Sequence, residues 1–379
     1  MNSFILAVST MVGTIVGAGI FGIPYVVTIS GIAPAVFSFL LLLLVVTLLH
    51  LFFGEVCLRT SGKHRLVGYA EIYLGKWGRF FASITLFFVL VGTLLAYLIL
   101  VGHFGEIILQ DFPRISGLFV SVVFSIIALI LVFVGRQLIA KIEFFTNIAF
   151  VGAIAALVIF ALPHLGNLNI PFIGLTGSAN LFLPFGVLLF ALVGFEAIPE
   201  VMSFLRDRKA NTKLDNVIVA STLVSGFFLL LFTVIVLLVS GSSSSQDAFS
   251  GLVPFLGKGI VWFGATIGIV VIADSFLVIG NYLKNSLRHD FKVPTVPAAI
   301  LAVGAPLALF LLGIREFIQV ISVVGGLIGA LEGILIILLF QKAKVKGDRT
   351  PEYSIKVPSF VLLFIALLLV GGAAATLLL

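Results

Sequence analysis

Four acidic side chains, Glu196, Glu200, Asp274 and Glu332, stand inside apolar runs of membrane length, where an ionisable group is costly and marks an ion or solute path by default. Two of them adjoin an interrupted stretch. Gly194-Phe195-Glu196-Ala197-Ile198-Pro199 matches Gly19-Ile20-Phe21-Gly22-Ile23-Pro24 at its Gly, Ile and Pro positions, and a valine follows two residues after each proline, Val26 and Val201. Glycine weakens a helix interior, and Pro24 and Pro199 offer no N–H to the carbonyls of Ile20 and Phe195 four residues back. In hydrocarbon an orphan backbone group survives only inside protein or beside a polar cavity. The expected chemistry is therefore two-sided. Backbone amides of Gly17 to Gly22 and the positive end of a half-helix suit an anion, while the carbonyls of Ile20 and Phe195 suit an ammonium group or a cation. A zwitterion fits both. Glu196, in the second interruption, is the carboxylate favoured for a coupling charge. For Glu200, one turn on, hydrogen bonding that holds the break in shape is the stronger reading.

The elements that must position these groups are membrane spans. Of the 379 residues 61% are apolar and 10% charged, with a mean hydropathy of +1.30, against about 25% charged in soluble domains. About eleven apolar runs reach the length that crosses a core of roughly 30 Å: 4–29, 33–58, 79–109, 115–135, 142–162, 181–205, 214–240, 255–287, 296–312, 315–341 and 357–378. The chain reads as an all-α polytopic membrane protein with no room for a soluble catalytic domain. With the N-terminus in the cytoplasm, only Arg114, Lys258 and Arg315 of the 22 Lys and Arg fall outside, leaving 19 inside. That asymmetry supports both orientation and span count, and it assigns the net charge of +6 to topology, excluding nucleic acid as a partner. It places the C-terminus outside, and the membrane expected is the plasma membrane. The N-terminus has no basic region before its apolar run and reads as a retained helix. Cys57 stands alone, so no internal disulfide or cysteine metal cluster forms.

The two interruptions open the first and sixth spans, and five spans follow from each opening. The first span runs outward and the sixth inward, giving two units of opposite topology, about 1–162 and 181–341, with an additional helix at 357–378. Interrupted spans at matching positions of inverted halves point to a midplane site. Other polar residues receive plainer readings. Glu55 and Arg59 form an i,i+4 ion pair at a helix end. Glu143 beside Lys141 suits a helix N-terminus. Tyr97 either closes over a solute or packs in the bundle, and His103 and Glu106 stand near its outer end. Asp274, Asn281 and Asn285 share one helix face, and Asp274 with Ser275 could bind sodium, carry a proton or serve structure. Glu332 lies among Gly325, Gly326, Gly329 and Gly333, a pattern of close helix packing that favours a structural role. The loop 163–180 separates the halves. The serine-rich stretch 240–250 is expected to be a mobile loop.

The string Gly13-Thr14-Ile15-Val16-Gly17-Ala18-Gly19-Ile20-Phe21-Gly22-Ile23-Pro24, together with Phe190-Ala191-Leu192-Val193-Gly194-Phe195-Glu196-Ala197-Ile198-Pro199-Glu200, resembles the amino acid/auxin permease and aromatic amino acid permease group of the amino acid–polyamine–organocation superfamily. The likeness covers essentially the whole chain. It implies a LeuT-like five-plus-five inverted repeat, alternating access and secondary transport of amino acids coupled to protons or sodium, with no cofactor and no obligate protein partner. The residues expected at the substrate are Thr14, Gly17, Ala18, Gly19, Ile20, Phe21, Tyr97, Phe190, Gly194, Phe195 and Glu196. Those expected at the coupling ion are Gly13, Val16, Glu196, Asp274 and Ser275, all but Glu196 being candidates for sodium. In sodium-coupled relatives the eighth helix tends to offer hydroxyl groups near the first break. Here Asp274 beside Ser275 departs from that, leaving the ion open. Other solutes on the same fold, a polyamine or nucleobase, stay as alternatives. A channel or membrane-embedded enzyme is disfavoured, because the polar residues concentrate at one depth and no nucleophile or ligand-spaced cluster is present.

Overall fold

The computed structural model describes residues 3–111, 116–134, 152, 154–160, 162–163, 182–207, 214–289 and 291–378, and every described regular element is helical. In lipid each backbone group must be satisfied within its own segment, so uniformly apolar runs become helices. The first span is broken: α1 (Ser3–Ile15) and α2 (Gly19–Ser30) meet at 53°. Next come α3 (Ile32–Leu58), α4 (Leu66–Ile108) and α5 (Gly117–Val134). The sixth span is again two pieces, α6 (Leu183–Leu192) and α7 (Ala197–Asp207). Then follow α8 (Leu214–Ser240), α9 (Lys258–His289), α10 (Thr295–Leu311), α11 (Phe317–Val323), a π-helical turn Val324–Gly329, α12 (Ala330–Lys346) and α13 (Ser359–Leu378).

These segments correspond to ten of the eleven expected runs. The fifth run lies mostly outside the described residues, as do Arg114, Arg136, Lys141, Glu143, Lys209, Lys213 and the loop 163–180. One boundary differs from expectation. The third span was placed at 79–109, yet α4 starts at Leu66, because a short helix along the basic face runs into the span through Gly75 (φ 70, ψ −156). Only a residue without Cβ takes that backbone easily.

The core is built from α4 against α9, α6 against α2 and the π turn, and α3 against α8 and α12. Close approaches use glycine: a Cβ on Gly325 would stand 2.1 Å from the Gly186 carbonyl oxygen, and one on Gly333 would stand 2.9 Å from Leu369 Cδ1. The packing read from the glycines around Glu332 is therefore present. On the basic face, fully buried Glu55 pairs with Arg59 (2.8 Å) and accepts from Ser354 Oγ (3.0 Å) and the Ile355 amide (2.7 Å). That ties the connector before α13 to the end of α3. At the opposite face Glu106 Oε1 accepts from the Gly117 amide (2.9 Å) and so caps α5.

The serine-rich stretch 240–250 is folded, contrary to the mobile loop expected from its composition. Asp247 accepts from the Ser250 amide (3.0 Å) and Ser250 Oγ (2.6 Å), and Ser240 bonds Ser244 (2.7 Å). These local bonds turn the chain inward and bury Ala248 and Phe249. Phe249 joins Phe21, Phe104 and Phe232 in an aromatic cluster with ring centroids 5.2–6.3 Å apart. Composition alone hid this because serine and asparate side chains supply turns as readily as they solvate loops.

Candidate functional site

At the first break α1 ends at Ile15 and the chain passes through residues 16–18 without helical continuity. The Gly17 amide donates to the Ile15 carbonyl (2.9 Å), and the Phe21 amide to that of Ala18 (3.2 Å). Among the described residues the amides of Ala18 and Gly19 have no backbone acceptor, and no side chain caps α2. The positive end of α2 therefore stands open at the break. Pro24 lies at the sixth position of α2, so its missing N–H falls well past the break, opposite the carbonyl of Ile20.

At the second break the helix stops for a different reason. His50 on α3 accepts from the Gly194 amide at Nε2 (3.2 Å), while its Nδ1 is 3.0 Å from Thr222 Oγ1, which donates to the Ile218 carbonyl (2.9 Å). Because Nε2 must accept from the amide, the proton sits on Nδ1 and the bonds run in one direction, Gly194 to His50 to Thr222 to Ile218. A continued helix would have given the Gly194 N–H to the Phe190 carbonyl. His50 takes it, so the Phe190 carbonyl is released at the negative end of α6.

This corrects the carbonyl expected from sequence. The Phe195 carbonyl accepts from the Ile198 amide (3.2 Å), and Pro199 is the third residue of α7, in the first turn where a missing N–H costs nothing. His50 was absent from the expected site. The one signal for it was an ionisable ring in the middle of the apolar second span, level with Thr222 in the seventh.

The two breaks cross closely. A Cβ on Gly19 would stand 2.7 Å from Ala191 Cα, one on Gly194 would stand 2.5 Å from Ile15 Cγ1, and one on Gly17 would stand 2.9 Å from the Tyr97 hydroxyl. Between them lies a cavity of about 60 Å³, lined by Thr14, Gly17, Ala18, Gly19, Tyr97, Phe190 and Glu196 of the expected set. Thr93, the π turn and Glu332 complete its wall. Ile20, Phe21, Gly194 and Phe195 do not line it. Phe21 points into the aromatic cluster, and Phe195 packs its ring against that of His50 (5.1 Å). Nor do Gly13, Val16, Asp274 or Ser275 line it. Tyr97 faces Ser275, so that residue reaches the cavity only through the Tyr97 ring, whereas α9 lines it directly at Ile279.

Towards the basic face a second cavity of about 300 Å³ begins, sharing Thr14, Glu196 and Ile279 with the first and adding Arg65, Glu200, Asn281, Tyr282 and Asn285. Arg65 stacks over the Tyr282 ring at 4.5 Å. Towards the opposite face lies the Phe21 cluster, which borders a further apolar cavity of about 40 Å³ lined by Phe21, Phe232 and Phe249. The second cavity meets the breaks at half-buried Glu196. Among the described residues no group of three or more His, Cys, Asp or Glu could hold a metal ion.

Comparison with known proteins agrees with this architecture. The structure of MhsT in complex with L-phenylalanine superposes with a TM-score of 0.65 at 15% sequence identity, covering 99% of this chain and 97% of that one. The fold is accordingly the LeuT-like arrangement, with broken first and sixth spans. No curated protein matches the sequence. The family profile described as transmembrane amino acid transporter protein matches residues 2–342. The chain belongs to the transmembrane amino acid transporter family and is an integral membrane carrier.

Proposed function

We propose that this carrier is a secondary active transporter of amino acids that works by alternating access and is coupled to a proton or sodium gradient. It resides in the plasma membrane with the basic face, and hence the N-terminus, in the cytoplasm. The observation that carries the reading is the pairing of opposite helix ends across one cavity: open amides of Ala18 and Gly19 on one wall, the released Phe190 carbonyl on the other. An α-carboxylate takes the amides and an α-ammonium takes the carbonyl. Family membership and the L-phenylalanine bound by MhsT support an amino acid as the zwitterion. The open vestibule and closed aromatic cluster correspond to an inward-facing state. Movement that opens the cluster and closes the vestibule would complete the cycle.

Glu196 lines both cavities and is the residue through which solvent on the basic face reaches the breaks, which suits a group that loads and unloads the coupling ion. Asp274 and Ser275, one ring away behind Tyr97, are the alternative. The test is uptake by purified protein in liposomes, given a panel of amino acids with proton and sodium gradients imposed separately. Accumulation of at least one amino acid under one gradient is expected, and Glu196→Gln should abolish accumulation while leaving exchange. Absence of uptake under both gradients would overturn the reading.

A further inference from the structure

Glu332 is a carboxylate assigned to packing from sequence whose oxygens the structure leaves without a hydrogen-bond partner. It is fully buried at the start of α12, immediately after the π turn, and both of its oxygens lack a hydrogen-bond partner among the described residues. Its glycine neighbours do the packing: Gly325 meets Gly186, and Gly333 meets Leu369. The carboxylate itself lines the central cavity together with Glu196.

The groups around this pair supply no fixed counter-charge. From α4 comes the Tyr97 hydroxyl and from α9 Tyr282, with Asp274 near Tyr97 but lining neither cavity. From α7 comes Glu200. The His50 ring on α3 is neutral, with both nitrogens engaged. Arg65 lies in the vestibule, stacked on Tyr282. Among the described residues no Lys, Arg or His lines the cavity itself. Two carboxylates facing one small cavity cannot both stay ionised and unpaired, since the desolvation of each is uncompensated and they repel. A π turn directly before one of them adds a feature common at functional sites.

We infer that Glu196 and Glu332 together form the coupling-cation site, a carboxylate pair that holds one monovalent cation between the second break and α12. The inference rests on the transport reading above and adds a second residue to it. The cation is a proton shared by the two carboxyls or a sodium ion bridged by their oxygens. Glu196, open to the vestibule, exchanges the cation with the basic side, while Glu332, sealed from it, keeps the charge compensated when the vestibule closes.

The test uses full-length protein in lipid nanodiscs, the wild type beside Glu332→Gln and Glu196→Gln. Infrared difference spectra between high and low pH report a protonated carboxyl directly, and binding of radioactive sodium reports the other cation. If the site takes a proton, the wild type has a carboxyl C=O band that E332Q and E196Q each lose or shift. If it takes sodium, the wild type binds the ion and E332Q weakens binding by about tenfold or more. Neither signal in the wild type, or either signal unchanged in both variants, overturns the proposal. Should E332Q not give monodisperse protein, E196Q against wild type decides by the same criteria. In liposomes E332Q is expected to keep exchange and lose gradient-driven accumulation. Unchanged accumulation overturns the proposal, whereas a wild type with the spectroscopic signal but no uptake overturns the transport reading alone.

Discussion

The two breaks share a motif and use it differently. Aligned at glycine and proline, Phe21 corresponds to Glu196, yet Phe21 packs in an aromatic cluster away from the vestibule and Glu196 lines the cavity. The first break, at residues 16–18, precedes its motif, and Gly19 already begins a helix. The second runs through its motif, and the helix resumes only at Ala197. The difference comes from who takes the amides. At the first break no side chain intervenes and the amides of Ala18 and Gly19 stay open. At the second, His50 reaches in from α3 and takes one. A proline marks a region where a helix can be interrupted. The neighbours determine the residue at which it is.

The strongest way to break this comparison is at the aligned pair. Phe21→Ala removes the centre of a buried aromatic cluster, at about 3–5 kcal/mol, and should open the face away from the vestibule. A cysteine placed below the cluster should then react from that side in the variant and not in the wild type. Equal reactivity would mean that Phe21 is not a seal. Next come the glycines. Gly19→Ala drives a Cβ into the backbone of Ala191, which cannot yield, and should lose transport with about 1–3 kcal/mol or more of strain. Gly194→Ala meets a side chain instead, so the added change Ile15→Ala should restore a good part of its thermal stability. Gly19→Ala should have no such rescue.

His50→Ala removes the acceptor that holds the Gly194 amide and the donor to Thr222, and should cost about 1–3 kcal/mol by thermal unfolding in detergent. Substrate affinity in that variant should fall as well, because the Phe190 carbonyl regains its helical donor. Loss of stability with affinity intact would separate His50 from the site. The smallest effect is a control distant from both breaks. The Ser61 amide donates to Asp348 (2.9 Å) and holds this exposed carboxyl below the usual aspartate range. A depressed folded pKa stabilises above the unfolded value near about 4 and is lost as pH falls through the folded value. Asp348→Asn should therefore change unfolding slightly at neutral pH and not at all in strong acid, with transport unaffected.

Much of this architecture is legible in the chain. Apolar length sets the spans, since lipid permits only helices there, and a repeated Gly and Pro string locates both interruptions to within a few residues. That the breaks expose backbone amides at one helix end and a carbonyl at another is legible too, because it follows from helix polarity. The donor of the free carbonyl was not. Phe190 replaces Phe195 because a histidine 144 residues away competes for one amide, and no local pattern carries a contact of that range. The folded serine-rich stretch escaped for a similar reason: its ordering depends on Phe249 finding Phe21, Phe104 and Phe232.

The sequence by itself determined a helical membrane bundle with two broken spans, because hydropathy, proline and glycine act through local backbone chemistry. Only the tertiary structure decided which carbonyl opens, which of two aligned residues packs in the aromatic cluster and which lines the cavity. It also decided that Glu332, hidden among packing glycines in the sequence, lines the same cavity as Glu196 with its oxygens unpartnered among the described residues. Those outcomes depend on competition between groups distant in sequence for the same hydrogen bond or the same space.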